Sequence, residues 1–348
     1  MVKPSPMKKV VVAMSGGVDS SIAAALLKCE GYDVSGVSMQ LLPEDGSFED
    51  ARRSAEILGI SHIVVDFRER FQKRVVDYFT GEYRRGRTPN PCIRCNEHIK
   101  FGIFLDEALE SGADCMATGH YARVEQDGGG YVLKRGADAV KDQSYFLYTL
   151  TQFRMRHVLM PLGGRKKSEV RDLAARLGLP TASRPESQEV CFAPSRDYRT
   201  FFEERGMSDT PGLIVDSSGR ELGMHNGITR YTIGQRKGLG IAGTRPLYVV
   251  RIERESNRVV VGERPEGFST GLVACGLHWT AQPAADTLRV QAKIRSLHTA
   301  APATVVPLGE DKARVIFETP QWAVTPGQAV VLYSGERVLG GGTIEHAE

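Results

Sequence analysis

Short apolar runs separated by polar, glycine-containing turns set the pattern of the first third of the chain. Val10 to Ala13, Val34 to Met39 and His62 to Val65 have strand length, while Ile22 to Cys29 and Glu49 to Leu58 have helical composition, the latter stopped by Gly59. Strands alternating with helices predict a parallel sheet with crossover helices, whose ligands bind beyond the carboxyl ends of the strands. Ala113 to Thr118 predicts a further strand, preceded by a helix that Asn96 caps and that runs through Leu109 to Gly112. Gly128 to Gly130 marks a hairpin tip, and a helix is expected between an N-cap at Ser168 and a stop at Gly178 and Pro180. Val190 to Phe192 reads as strand-like. Beyond about Arg205 helices give way to short strands, with hairpins at Leu213 to Val215 and at Leu247 to Ile252 with Val259 to Gly262. From about residue 270 the pattern is all β. Leu288, Val290, Ala292 and Ile294 share one face of a strand, opposite Arg289, Gln291, Lys293 and Arg295, which places three cations on the exposed side. Further strands at Arg314 to Glu318 and Val330 to Leu332 suggest a small barrel. No internal repeat or low-complexity tract is present.

The stretch Met14-Ser15-Gly16-Gly17-Val18-Asp19-Ser20-Ser21 lies between the first strand and the first helix. A helix start offers N–H groups without intrahelical partners and the positive end of the dipole, so it attracts anions. Gly16 and Gly17 permit a sharp turn and a close approach. Asp19 is out of place beside phosphate unless a cation intervenes, which marks it as a Mg²⁺ partner. No Gly-Lys-Ser/Thr follows, so this is not a Walker A motif. The loop resembles the PP-loop of the ATP pyrophosphatases, which implies cleavage of ATP to AMP and pyrophosphate.

Composition narrows this picture only slightly. The 348 residues allow two or three domains, and 41% apolar with 25% charged residues is ordinary for a globular chain. A net charge of +3 is too small to argue for nucleic acid without its distribution. No apolar run approaches the ~20 residues of a membrane helix, and the N-terminal run breaks too early for a secretory signal. A cytoplasmic monomer with no membrane association is expected. Its six cysteines (29, 92, 95, 115, 191 and 275) then read as packed, catalytic or metal-binding rather than as a disulfide framework.

Distribution matters most at residues 84–100, where five Arg or Lys lie in and around Thr88-Pro89-Asn90-Pro91-Cys92-Ile93-Arg94-Cys95-Asn96. The two prolines predict a stiff, extended loop, and the cations are expected to push the two thiols toward thiolate. A zinc site needs four ligands, and no second Cys-x-x-Cys or His pair supplies them. A thioredoxin-type motif belongs to a different fold. With Cys191, the pair suits sulfur handling, one thiol carrying a persulfide and another resolving it. Gly119-His120-Tyr121-Ala122-Arg123 ends the Ala113 to Thr118 strand at the ligand edge, where Gly119 lets a nucleotide approach. At the end of the second strand, Met39 is placed to touch the base or to pack in the core. Lys141-Asp142-Gln143 precedes aromatics.

Ser-Gly-Gly-Val-Asp-Ser-Ser at 15–21, Thr-Pro-Asn-Pro-Cys-Ile-Arg-Cys-Asn at 88–96, Gly-His-Tyr-Ala-Arg at 119–123, Lys-Asp-Gln-Ser-Tyr-Phe-Leu at 141–147, Val-Cys-Phe at 190–192 and Thr-Pro-Gly-Gln at 325–328 resemble, in order, the bacterial tRNA-specific 2-thiouridylases. The resemblance runs from about Lys8 to the C-terminus. It implies an α/β PP-loop domain at 1–200, a small β-rich domain at 201–269 and a tRNA-contacting β-barrel at 270–348. It implies ATP-dependent 2-thiolation of the wobble uridine of tRNAs, usually those for Lys, Glu and Gln, supplied by a cysteine desulfurase or a sulfur carrier. Ala13, Met14, Ser15, Gly16, Gly17, Val18, Asp19, Ser20, Met39 and Gly119 are then ATP-binding. Cys191 bears the persulfide, and Cys95 is the second nucleophile, freeing the sulfur or closing a disulfide with Cys191. Asn90, Pro91 and Cys92 touch the target base, and His120, Lys141, Asp142, Gln143, Arg295, Ser296 and Gln328 contact tRNA. Many relatives carry Asp where Cys92 stands. Cys92 is therefore either a thiol in an acid/base position or, with Cys95 and Cys191, a ligand of a [4Fe–4S] cluster whose open iron carries sulfide. Ser296-Leu297-His298 replaces a common Tyr-Arg-Gln. Two other classes share features: PP-loop amidating ligases, which need no cysteine pair, and non-catalytic RNA-binding modules, against which the intact loop and three cysteines count.

Overall fold

The computed structural model describes residues 7–43, 48–182, 190–193, 198–206, 210–241, 245–280 and 287–348. The chain forms two compact units: Met1–Val75 with Cys92–Gln188 and Glu336–Leu339, and Val76–Pro91 with Glu189–Gly335 and Gly340–Glu348. Among the described residues no helix is long and apolar enough to cross a membrane.

The first unit contains β1 (Lys9–Ala13), β2 (Asp33–Gln40), β3 (Ser61–Asp66), β4 (Cys115–Ala117), a hairpin of β5 (Ala122–Asp127) and β6 (Gly130–Arg135), and the short β7 (Val158–Leu159). Its parallel sheet has the order β3-β2-β1-β4-β7. The chain runs outward from β1 to β3 and then returns to β4 on the other side of β1. The crevice between the carboxyl ends of β1 and β4 is thus a topological switch point, where such sheets bind ligands. The helix α1 (Val18–Cys29) is buried on both sides. Ala24 and Leu27 pack with Val10 and Val12 of β1 and with Ala51 and Ala55 of the helix α2 (Glu49–Leu58), while Val18, Ile22 and Ala23 meet Val170 and Ala174 of the helix Lys167–Arg176. Ile22 is fully buried, and each such aliphatic side chain contributes about 1.5–3 kcal/mol of transfer free energy. Gly59 ends α2 at φ 59°, a left-handed cap that glycine adopts freely.

Several expected elements are shifted. Asn96 does not cap a helix: helical structure already begins at Pro91, which proline allows at a first helical position. From Cys95 to Phe104 the winding is π-helical, broken at Gly102 (φ −95°, ψ −108°), and the buried Asn96 donates from Nδ2 to the Phe146 carbonyl at 3.1 Å. Ser168 lies inside the following helix. Lys166 occupies the N-cap, and its N–H donates to Glu169 Oε2 at 2.9 Å.

In the second unit, β8 (Gly212–Asp216), β9 (Glu221–His225), β10 (Tyr248–Glu253) and β11 (Arg258–Gly262) form a sheet in the order β10-β11-β8-β9 over a core that includes Ile214, Tyr231, Val249 and Val261. β12 (Phe268–Trp279), β13 (Leu288–Lys293), β14 (Ala301–Pro307), β15 (Lys312–Trp322), β16 (Ala329–Ser334) and β17 (Arg337–Ala347) follow in the order β12-β15-β14-β13-β16-β17, and β12 pairs with β17 to close a six-stranded barrel. The helix Asp77–Arg84 also belongs to this unit. Its Phe79 and Tyr83 stack on Phe192, Phe201 and Phe202 with ring centroids 5.1–6.2 Å apart. Val190 to Phe192 is a turn rather than a strand, held by the burial of Phe192 in this aromatic group.

The alternation along β13 holds to Ala292 and then fails. Lys293 is buried, and Arg295 is half-buried, with Nη2 donating to the carbonyls of Ile233 (2.8 Å) and Ala323 (3.2 Å). Of the three cations expected on the exposed face, Arg289 alone is exposed. Period-two reading assumes a flat ladder with one solvated face, and a barrel strand that enters a packed junction violates that assumption.

Candidate functional site

The loop Met14–Gly17 leaves the carboxyl end of β1 at the switch point. The Met14 N–H donates to the Val37 carbonyl (2.8 Å), and the Ser38 hydroxyl donates to the Met14 carbonyl (2.7 Å), so β2 holds the loop's first residue. Gly16 turns at φ 71°, in the left-handed region. Gly17 is the N-cap of α1, and no side chain caps it. The hydroxyls of Ser20 and Ser21 both donate to the Gly17 carbonyl at 3.1 Å, and Ser20 Oγ accepts from the Ser15 N–H at 3.2 Å. The serines therefore brace the turn, and the first-turn amides of α1 are left for an anion. Met39, half-buried, sits near the end of β2 opposite Val65 of β3.

Asp19 has a different partner from the one expected. Both carboxylate oxygens accept from Lys167 Nζ, at 2.7 and 2.6 Å, and Oδ1 also accepts from the Tyr121 hydroxyl at 2.8 Å. The Lys167 ammonium lies 5.6 Å from the Tyr121 ring centre. Lys167 is buried, so the cation beside Asp19 is built into the fold. A Mg²⁺ ion held by the protein does not fit a lone carboxylate already neutralised by an ammonium group. Gly119 is also approached closely by the protein itself. A Cβ there would lie 2.7 Å from the Asp19 carbonyl carbon and 2.8 Å from the Ser20 nitrogen. What approaches Gly119 is the first turn of α1 itself.

His120 is buried with its ring 5.6 Å from that of Phe101, and Nδ1 shares a 2.8 Å hydrogen bond with the Thr118 hydroxyl. Burial, helped by the Lys100 charge, drops its pKa well below the usual imidazole range, so it is neutral. Asp142 Oδ1 accepts from the N–H groups of Gly136 (3.1 Å) and Ser144 (3.0 Å), and Gln143 Oε1 accepts from the Tyr121 N–H at 2.9 Å. These two side chains hold the backbone around Tyr121 in place; Lys141 beside them is half-exposed.

The thiols overturn one expectation. Cys95 is 8% exposed, and burial pushes its pKa up to about 11, with Lys100 opposing and Cys92 adding to the rise. Cys92 reaches solvent yet is crowded by protein, and desolvation raises its pKa against the same Lys100 charge. The cations of the basic window do not drive both thiols to thiolate because most are engaged elsewhere. Arg85 and Arg87 pair with the buried Glu82 at 2.7 and 2.5 Å, and Arg94 pairs with Glu97 at 2.9 Å. Lys100 is the cation that acts on both cysteines. The π winding brings residue 100 round toward the face of residue 95, since i→i+5 bonding lengthens each turn.

Cys191 is exposed in the second unit, beside the buried Phe192. Residues 187–189 next to it lie outside the described residues. All six cysteines are free thiols. Among the described residues no group of three or more His, Cys, Asp or Glu is arranged to hold a metal. Cys92 and Cys95 belong to the first unit and Cys191 to the second. In the same unit Gln328 Nε2 donates to the carbonyls of Thr88 (2.9 Å) and Pro89 (3.3 Å), just before Asn90 and Pro91. Ser296 is half-exposed in the turn after Arg295.

Sequence reading missed Lys167, Tyr121 and Glu82, and did not single out Lys100 among the cations of the basic window. Lys167 stands in an Arg-Lys-Lys run that reads as a solvated helix start. Only the packing of its helix against α1 turns that lysine toward Asp19.

Comparison with known proteins covers nearly all of the chain. Residues 8–195 match the family model of the tRNA methyl transferase HUP domain, 199–263 that of the tRNA methyl transferase PRC-barrel domain, and 269–344 that of the aminomethyltransferase beta-barrel domain. The tRNA-specific 2-thiouridylase MnmA of Geobacter metallireducens is 52% identical over 98% of this chain and 97% of its own length. That of Carboxydothermus hydrogenoformans is 52% identical over 97% and 98%. That of Geotalea uraniireducens is 51% identical over 100% and 97%.

Proposed function

We propose a residue-level course for the reaction of this chain, which belongs to the family of tRNA-specific 2-thiouridylases. The enzyme uses ATP to replace O2 of a tRNA uridine, at the wobble position, with sulfur. The observation that carries the residue assignment is the uncapped first turn of α1 at the β1/β4 switch point. The amides of Gly17 to Ser20 hold the phosphates, and Met39 flanks the adenine. Uracil O2 attacks the α-phosphorus of ATP, pyrophosphate leaves, and C2 now carries AMP as a good leaving group. Mg²⁺ enters, on this reading, with ATP rather than with the protein.

A persulfide on Cys191 supplies the sulfur. Its terminal sulfur attacks C2, AMP departs with the C–O electron pair, and the uridine is joined to Cys191 through two sulfurs. Cys95 then attacks the Cys191 sulfur. The S–S bond to the uridine breaks, its electrons leave on the 2-thiouridine, and a Cys95–Cys191 disulfide forms, which a dithiol reductant must reopen. Asn90, Pro91 and Cys92 address the target base. Lys141 and Ser296 supply contacts to tRNA, while the buried His120, with Asp142, Gln143 and Arg295, serves mainly to shape that surface. A cysteine desulfurase or a carrier downstream of one delivers the persulfide, and tRNAs for Lys, Glu and Gln are the expected substrates.

The test is a reaction with ATP, a persulfide donor and unmodified tRNA. Cys191→Ser is expected to abolish thiolation while AMP and pyrophosphate release continues. Loss of both activities in a folded variant contradicts the role of Cys191, and full thiolation by that variant refutes the persulfide route.

A further inference from the structure

The loop that addresses the target base has no regular structure of its own from Gly86 to Asn90, yet it is held at several points within the second unit. Glu82 lies on the helix Asp77–Arg84 with its side chain 2% exposed; its Oε1 accepts from Arg85 Nη1 at 2.7 Å and from Arg87 Nη2 at 2.6 Å, and Oε2 lies 2.5 Å from the same Arg87 nitrogen. The Arg87 N–H also donates to the Glu82 carbonyl at 3.0 Å. From the other side, the Thr88 N–H donates to the Pro326 carbonyl at 2.9 Å, and the Gln328 amide donates to the Thr88 and Pro89 carbonyls. Gly327, at φ 91°, sits so close that a Cβ there would lie 3.0 Å from Arg87 Cβ and from Thr88 backbone atoms. The Pro326–Gln328 turn is itself fixed, because Gly327 N–H donates to the Ile344 carbonyl and Ile344 N–H to the Gln328 carbonyl. A buried carboxylate that holds two guanidinium groups is costly to build and keeps its partners in place only while every member is present.

We propose that Glu82 and Gln328 are positioning residues for the target-base loop, and that Gln328 acts on tRNA through this loop rather than by touching it. Glu82 fixes where the loop begins, through Arg87. Gln328 fixes its middle, because its two N–H groups satisfy consecutive carbonyls that prolines at 89 and 91 cannot help to order. Asn90 and Pro91 follow directly, so the path of the backbone at 87–89 sets where they stand. The inference rests on the assignment of Asn90 to Cys92 to the target base.

Gln328→Leu removes the donors while keeping a side chain of similar size. Three quantities are measured on the full chain: affinity for unmodified tRNA by filter binding, single-turnover thiolation, and amide hydrogen exchange by peptide. Exchange is expected to rise only in peptides covering residues 86–90, with tRNA affinity within about twofold of the parent. Thiolation is expected to fall by about 100-fold, the scale that small misplacement of reacting groups produces. A tenfold loss of tRNA affinity with exchange unchanged makes Gln328 a direct tRNA contact and overturns the proposal, as does no change in any of the three. Faster exchange at 86–90 with an undiminished rate leaves the clamp standing but refutes the assignment of the loop to the target base. If Gln328→Leu exchanges fast throughout, Glu82→Gln, which preserves volume, must give the same three-way result, and its failure to do so refutes the proposal.

Discussion

Cys95 offers a sharp test, because the fold works against its ionisation. Its thiol is buried in the π-helical segment, and its pKa is pushed up to about 11 from an ordinary 9.0. At pH 8 the ionised fraction is therefore about one in a thousand, where an unperturbed thiol would show about one in ten. The perturbation is pH, and the assay is alkylation by iodoacetamide, with Cys95 followed by peptide mass spectrometry and the exposed Cys29 as internal standard. Thiolate is the reacting form, so the Cys95 rate should climb tenfold per unit to about pH 11, while that of a thiol of ordinary pKa levels off near 9. Stability carries the same signature. Between pH 9 and 11 the native state keeps a proton that the unfolded chain has released, so stability falls as pH rises through that window and is unaffected below it. Two units correspond to about 3 kcal/mol. The parent should lose about that much more than Cys95→Ala between pH 9 and 11 in denaturant unfolding of the first unit. A Cys95 rate that levels off near pH 9, or unfolding curves for parent and variant that stay parallel across the window, would show that burial does not control this thiol.

Three further outcomes are expected. Lys100→Met should move the alkylation profiles of both Cys92 and Cys95 to higher pH, since Lys100 opposes both rises, and Lys100→Arg should restore them; unmoved profiles exclude its charge as the cause. Lys167→Met should destabilise the protein by about 2 kcal/mol, between the values of exposed and fully buried pairs, because Lys167 is 10% and Asp19 33% exposed. A double-mutant cycle with Asp19→Asn checks it, and simple additivity would rule out the pair. Gly119→Ala should lower stability by about 1–3 kcal/mol through overpacking and impair ATP turnover, because the new Cβ meets the backbone of Asp19 and Ser20. A variant with unchanged melting and turnover would refute that reading.

Much of the first unit was legible in the chain because its determinants are local. The run at Val10 to Ala13 is too short and too apolar for an exposed element, Gly59 can end a helix where other residues strain, and Ser15 to Ser21 can only be a tight turn into a helix. The six-stranded barrel was visible as alternation, which needs no knowledge of neighbours. The places where the pattern misled are those where a distant element supplies the partner. Asp19 called for a cation, and sequence could not say that Lys167, 148 positions away, is that cation. Gly119 called for a close approach, and what approaches is α1. The basic window promised thiolates, but its arginines turn to Glu82 and Glu97, and burial decides the protonation of Cys95 instead. Residue types and their order therefore determined the fold class, the glycine turn into α1 and which thiols and polar side chains are candidates for the site. Tertiary structure alone decided their charge states and partners, because desolvation and ion pairing depend on which groups meet in space, and sequence separation says little about that.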